Sequence, residues 1–241
     1  MKKEISMRST LLDLSTLVNS CYLIEEVLSE SLYQAIEQLI CQEMNVNYPE
    51  RKWQTIRWDV CANFEYKEIW FAPTAWSLDA DTSQNLNIEQ CYAYFKVTIQ
   101  NHDRIETLID DDFDNNGNRL PTVNFFNHIN GFVSIQFHLN KNMIKTQYSK
   151  ETNYLSLRNW VKSKNRLMQE YDELEKLGFH LSKALGCWYM PIGILDSMQV
   201  AQDFEYKVFD RSLDPIRDAL KKLYPALEIF DLIQKQAKLI I

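Results

Sequence analysis

The spacing of apolar residues along this chain changes twice. From Ile24 to Met44 they return every three or four positions, at Ile24, Leu28, Leu32, Ala35, Ile36, Leu39 and Ile40. That spacing lines them along one side of an α-helix. Glu25, Glu26, Glu30, Glu37 and Glu43 fill other positions, so the predicted helix carries an apolar stripe and an acidic face. A shorter helix is predicted before it, near Leu11 to Val18. After Asn47 and Pro49 the period falls to two. Ile56, Trp58, Val60 and Ala62 alternate with Thr55, Arg57, Asp59 and Cys61. Lys67 to Phe71 reads as a short aromatic strand that stops at Pro73, because proline has no N–H for a ladder.

Two further segments alternate cleanly. In Tyr92 to Ile99 one face takes Ala93, Phe95, Val97 and Ile99, and the other takes Tyr92, Tyr94, Lys96 and Thr98. In Phe132 to Leu139 the inward set is Val133, Ile135, Phe137 and Leu139, with Ser134, Gln136 and His138 outward. Alternation of this kind predicts antiparallel strands with one covered face and one wetter face. Ser77 to Asn87 and Asp110 to Asn118 are loops by composition.

From about Leu155 the helical period returns, through Leu157, Trp160, Val161, Lys164, Leu167, Met168, Tyr171, Leu174 and Leu177. Gly178 then supplies a stop, since glycine takes the left-handed cap at little cost. The stretch from Phe179 to Leu195 predicts a short strand or two around Cys187 to Gly193. Asp214-Pro215 predicts a helix start, with Asp214 as the N-cap and Pro215 in the first turn. Tyr224-Pro225 breaks or restarts that helix, and the apolar C-terminal residues need something to dock on.

Runs of strands followed by runs of helices, without βαβ alternation, define an α+β chain. The expected architecture is an antiparallel sheet of four to six strands, with an N-terminal helix and a C-terminal helical segment packed on one face. Residues 1–241 are expected to form one domain. A subdivision into 1–150, helix plus sheet, and 151–241, mainly helical, is possible where the period changes near Lys150.

Composition narrows the function. The formal net charge is −7, which argues against a general nucleic-acid binder, since those carry a basic excess to replace phosphate counterions. Five glycines, widely spaced in 241 residues, fall well below the usual share of roughly 7%. Phosphate-cradling loops, dinucleotide fingerprints and the nucleophile elbow all need clustered glycines, so these are excluded. Cys21, Cys41, Cys61, Cys91 and Cys187 are odd in number and contain no CxxC pair. They read as free thiols in a reducing cytoplasm. No long apolar stretch or leader pattern is present, so a cytoplasmic protein without a membrane span is expected. Many Asn, Lys and Ile with few Gly and Ala suggest a bacterial origin.

Three groups of residues have chemistry to consider. Asp112, Asp114 and Asn116, with Gly117 in the sixth position, match the first half of a calcium loop. Val123 stands where the bidentate glutamate belongs, so an ordinary surface turn is the favoured reading over a Ca²⁺ site. Asp59, Glu65 and Lys67 have the elements of a D…E-x-K nuclease site, where two carboxylates hold Mg²⁺ and the lysine positions the attacking water. Their close spacing places Glu65 in a turn, and a solvated hairpin edge competes with the catalytic reading. His102, His128, His138 and His180 show no ligand spacing. Among the abundant aromatics, Tyr92 and Tyr94 share a polar strand face with Lys96. These three are the expected contact surface for a protein partner.

The order Lys67 to Pro73, then Ala75-Trp76, then a loop and Tyr92 to Val97, reads as aromatic strand, proline, tryptophan, aromatic strand. It resembles the C-terminal accessory region of bacterial PD-(D/E)XK-superfamily proteins associated with mobile elements and phage defence. The resemblance covers about Arg51 to Lys176 and implies a defence or mobile-element context. The catalytic half of those proteins has no counterpart here beyond Asp59, Glu65 and Lys67, whose spacing departs from the pattern. The expected function is therefore a non-catalytic protein-interaction or regulatory module with no cofactor. The alternative is a divergent Mg²⁺-dependent nuclease, and only that alternative involves nucleic acid.

Overall fold

The computed structural model describes residues 28–60, 66–77, 90–100, 125–126, 132–148 and 157–240. The short helix expected at Leu11 to Val18 lies outside them. Helix α1 (Ser29–Asn47) buries Leu32, Tyr33, Ile36, Leu39, Ile40 and Met44, most of the stripe read from the sequence. It stops where Tyr48 leaves helical geometry and Pro49 follows. Asn45 then ties the helix end to the sheet. Its Oδ1 accepts from Trp53 N at 2.8 Å, and its Nδ2 donates to Trp53 O at 3.0 Å.

The six strands are β1 (Trp53–Val60), β2 (Tyr66–Pro73), β3 (Ala93–Gln100), β4 (Phe132–Leu139), β5 (His180–Ser182) and β6 (Cys187–Pro191). They form one antiparallel sheet in the order β1-β2-β3-β4-β6-β5. The expected α+β architecture is therefore present. The two strands from beyond residue 150 complete the sheet begun by the first four, because β6 pairs with β4.

Between the sheet's two portions lie α2 (Lys141–Tyr148), α3 (Leu157–Met168) and the one-turn α4 (Glu173–Lys176). The apolar stripe from Leu157 to Leu177 is thus shared by two helices, with a turn at Gln169 to Asp172 between them. Tyr171 and Leu174 remain buried across that break. Gly178 ends α4 at φ +89, with its N–H on Glu175 O and Phe179 N on Leu174 O. Helix α5 (Ser197–Tyr206) is capped by Asp196, whose Oδ1 accepts from Met198 N at 2.9 Å and Gln199 N at 3.3 Å.

Helix α6 (Asp214–Leu223) starts at the expected place with Pro215 in its first turn. Asp214 is not its N-cap. That position is Leu213, without a side-chain cap, because the preceding 3-10 turn Arg211–Leu213 runs straight into the helix. The Asp214 carboxylate instead sits in the first turn, where the helix dipole favours it, and pairs with Arg217. After the 3-10 turn Tyr224–Ala226 the chain restarts as α7 (Leu227–Ile240).

One face of the sheet carries Ile69, Phe71, Phe95, Val97, Val133, Ile135, Phe137, Trp188 and Met190, all buried. Helix α1 packs on β1 and β2 and against α6. Phe230 of α7 meets Phe95, Phe137 and Phe179 at ring separations of 5.2, 4.5 and 5.2 Å. Each such aromatic buries roughly 150–250 Å², so this contact is a large apolar part of the join between helix layer and sheet. Among the described residues, no helix is long and apolar enough to cross a membrane.

Candidate binding face of the sheet

Strand alternation turns Trp70, Tyr94, Lys96, Thr98, Ser134, Gln136, His138, Cys187 and Tyr189 to the other side of the sheet. Register brings several of them together. Trp70 lies opposite Lys96, Tyr94 opposite His138, and Lys96 opposite Gln136. Three rings stack across three strands. Trp70 and Tyr94 are 4.5 Å apart and 5° from parallel, and Tyr94 and His138 are 5.6 Å apart and 13° from parallel. All three are half-buried, and so is Lys96.

A polar chain runs beside the rings along β4. Ser134 Oγ donates to Thr98 O at 3.4 Å, and Gln136 Nε2 donates to Ser134 Oγ at 3.3 Å. That leaves Gln136 Oε1 to accept from His138 Nε2 at 2.9 Å. Ser134 and Gln136 were expected to face water, yet they are 0% and 2% exposed. Their hydrogen bonds to one another and to Thr98 are what make that burial tolerable. Burial, with Lys96 and then Lys164 adding their positive charge, holds the His138 imidazole well below its usual pKa, so the ring is neutral at pH 7.

Lys164 closes the end of this region. It projects from α3, is 6% exposed, and donates from Nζ to Leu185 O at 2.9 Å. Its Nζ also lies 5.8 Å from the centre of the Trp160 ring. Gly186 makes room for it, since a Cβ there would sit 2.6 Å from Lys164 Cε. Burial lowers the Lys164 pKa, and Lys141 and Lys96 lower it further, against an opposing effect from Cys187. The Cys187 thiol is itself pushed up to about 11 by burial. It is therefore a neutral, unreactive thiol at pH 7. Cys91 is similarly raised to about 12, and Cys41, Cys91 and Cys187 are all unbridged.

Of the expected contact residues, Tyr94 and Lys96 do lie on this half-exposed face. Tyr92 does not fit the expectation of an exposed ring. It is 5% exposed, with Lys238 Nζ 3.6 Å from its ring centre. It precedes β3, and its backbone is held between Trp76 O and Asn140 N, each at 2.9 Å. It therefore follows the geometry of that junction and not the alternation of the strand. Asp59 and Lys67 are directly opposite one another in the β1–β2 register. Glu65 lies outside the described residues, as do Asp112, Asp114 and Asn116 of the calcium-like loop. Among the described residues, no group of three or more His, Cys, Asp or Glu side chains is placed to hold a metal.

Trp70 and Lys164 were not singled out as site residues from the sequence, and His138 was read there only as a polar-face histidine without ligand spacing. Trp70 and His138 follow from the same alternation that exposed Tyr94, once strand order is known. Lys164 left a clearer trace, as a charged residue inside an otherwise apolar helical stripe. No protein-family model, curated protein or solved structure matches the chain.

Proposed function

We propose that this chain is a non-catalytic interaction module that contacts a protein partner through the sheet face bearing Trp70, Tyr94, Lys96 and His138. One observation carries the reading: a stacked, half-exposed aromatic ladder with a lysine beside it lies on the side of the sheet opposite the helix layer. Rigid aromatic rings with a polar edge give a large contact area at low entropic cost, which is why such groups anchor interfaces. The resemblance in aromatic and proline placement supports an accessory or regulatory role in a bacterial defence or mobile-element setting. The test is quantitative co-purification from the source cells with Tyr94→Ala and Trp70→Ala variants. A partner retained by the parent chain should be depleted at least tenfold by either variant and kept by Val46→Ser, a distant exposed site. Recovery of the parent chain alone and monomeric would refute the reading.

A second reading is a Mg²⁺-dependent nuclease that uses Asp59, Glu65 and Lys67. It is favoured by the register that sets Asp59 opposite Lys67. It predicts Mg²⁺-dependent cleavage of DNA that is lost in Glu65→Ala. Absence of cleavage by the parent chain across a range of Mg²⁺ concentrations would dismiss it.

A further inference from the structure

The two edges of the sheet are unequal. Strand β5 ends one side with three residues, whereas β1 ends the other with eight. Among the described residues no strand lies beyond β1. Short edges offer little to a foreign strand, and long ones are usually blunted by proline, lysine or a bulge. Between Trp53 and Val60 there is neither proline nor lysine, and the β1–β2 register runs without a bulge. The ladder also fixes which backbone groups face outward. In an antiparallel pair, levels at which opposite residues exchange hydrogen bonds alternate with levels at which they exchange none. Thr74 N donates to Lys52 O at 3.2 Å, so that level is bonded. The next level, Trp53 opposite Pro73, is unbonded, which suits a proline without an N–H. By the same alternation the N–H and C=O groups of Trp53, Thr55, Arg57 and Asp59 point away from β2. At Trp53 the Asn45 side-chain amide meets both groups, at 2.8 and 3.0 Å, as a neighbouring strand would. Thr55, Arg57 and Asp59 present the same pair of groups further along the edge.

Charge selects what fits this edge. Take a second copy of β1 laid antiparallel against the first, outward groups to outward groups. Centring the two-fold axis on Arg57 sets that residue against itself, and centring it on Asp59 sets two carboxylates against each other. Like charges directly opposite destabilise a strand pair. Centring it on Ile56 or earlier brings an outward residue against Trp53, whose groups Asn45 already holds. Centring it on Trp58 sets Arg57 of each copy opposite Asp59 of the other, with Ile56 opposite Val60. That register alone gives two oppositely charged pairs. We propose that β1 is a self-pairing edge, at which two copies of this chain join as an antiparallel dimer with the two-fold axis at Trp58. Each copy uses the same residues, as a closed two-fold interface requires. The axis stands perpendicular to the sheet, so the sheet continues from one copy into the other with both helix layers on one side. The proposal does not depend on the reading of the aromatic ladder. It is tested on the purified chain alone, so either can fail while the other stands.

The experiment is sedimentation velocity of the purified full chain across a concentration series. The parent should pass from monomer to dimer, or already be dimeric, within about 1–100 µM. A parent that stays monomeric throughout overturns the proposal. Arg57→Pro removes an outward N–H and leaves the β1–β2 hydrogen bonds in place, because position 57 exchanges none with β2. That variant should unfold cooperatively yet sediment as a monomer, and a dimer as tight as the parent's overturns the proposal. Arg57→Asp tests the register. It replaces two attractive cross-strand pairs with two repulsive ones, so the dimer Kd should rise by roughly tenfold or more. An unchanged Kd overturns the assigned pairing. If Arg57→Pro does not fold, Arg57→Asp decides the matter, since a side-chain change on an edge strand keeps the backbone donor.

Discussion

At the scale of single residues, His138 has the most to say about how the polar face is maintained. Burial first, then Lys96 and Lys164, depress its pKa well below 6.5. The unfolded chain therefore binds a proton near pH 6.5 that the folded chain refuses. Between the depressed pKa and pH 6.5 the unfolded state holds more protons, so stability falls as the pH drops through that window. One such group changes stability by at most about 1.4 kcal/mol per pH unit. His138→Phe preserves a ring against Tyr94 but cannot titrate. Urea unfolding of parent and variant from pH 7.5 to 5 should show the parent losing stability more steeply below pH 6.5. Parallel pH profiles would mean that His138 takes up its proton equally in the folded and unfolded chains, so that its pKa is not depressed by folding. His138 was legible as a polar-face residue from alternation alone. Its low proton affinity was not, because Lys164 arrives from a helix some 26 positions further along the chain.

At the scale of elements, periodicity was a good guide wherever each turn or pleat had a uniform environment. The bounds of β4 and the buried stripe of α1 were readable for that reason, as was the stop at Gly178. It misled where tertiary contacts replaced water as the polar partner. Ser134 and Gln136 look like solvent-facing strand residues, yet they satisfy each other, Thr98 and His138 inside the structure. Tyr92 shares the parity of Tyr94 but stands just outside β3, where a bridging backbone and the Lys238 ammonium enclose it. The split of the Leu157–Leu177 stripe had no sequence signal, since neither glycine nor proline marks Gln169 to Asp172. Trp160, Leu167 and Met168 before the break and Tyr171 and Leu174 at and after it are all buried, so the pattern survives a break in the helix that produced it.

At the scale of the whole molecule, the change of period near Lys150 raises the question of whether the two portions fold together. The sheet gives a physical reason for them to do so. Strand β6 pairs along β4, so the first four strands expose an unpaired edge until the later residues arrive. Phe230 of α7 then contacts Phe95 and Phe137 from the earlier strands and Phe179 from the later segment. It is fully buried, so removing its ring leaves a cavity where both portions and the helix layer meet. Phe230→Ala should cost about 3–5 kcal/mol, from lost transfer energy and the cavity left behind. Because a typical domain has only about 5–15 kcal/mol in total, the loss should be large in a urea titration. Helix content by circular dichroism and tryptophan fluorescence should report it together. Trp53 and Trp76 lie in the earlier core and Trp188 in the later strand, so fluorescence samples both portions. Coincident midpoints in parent and variant, shifted by the same amount, are the expected outcome. Two separated transitions, with only one displaced by Phe230→Ala, would show that the shared sheet does not couple the portions and that the change of period marks a boundary in stability as well as in sequence.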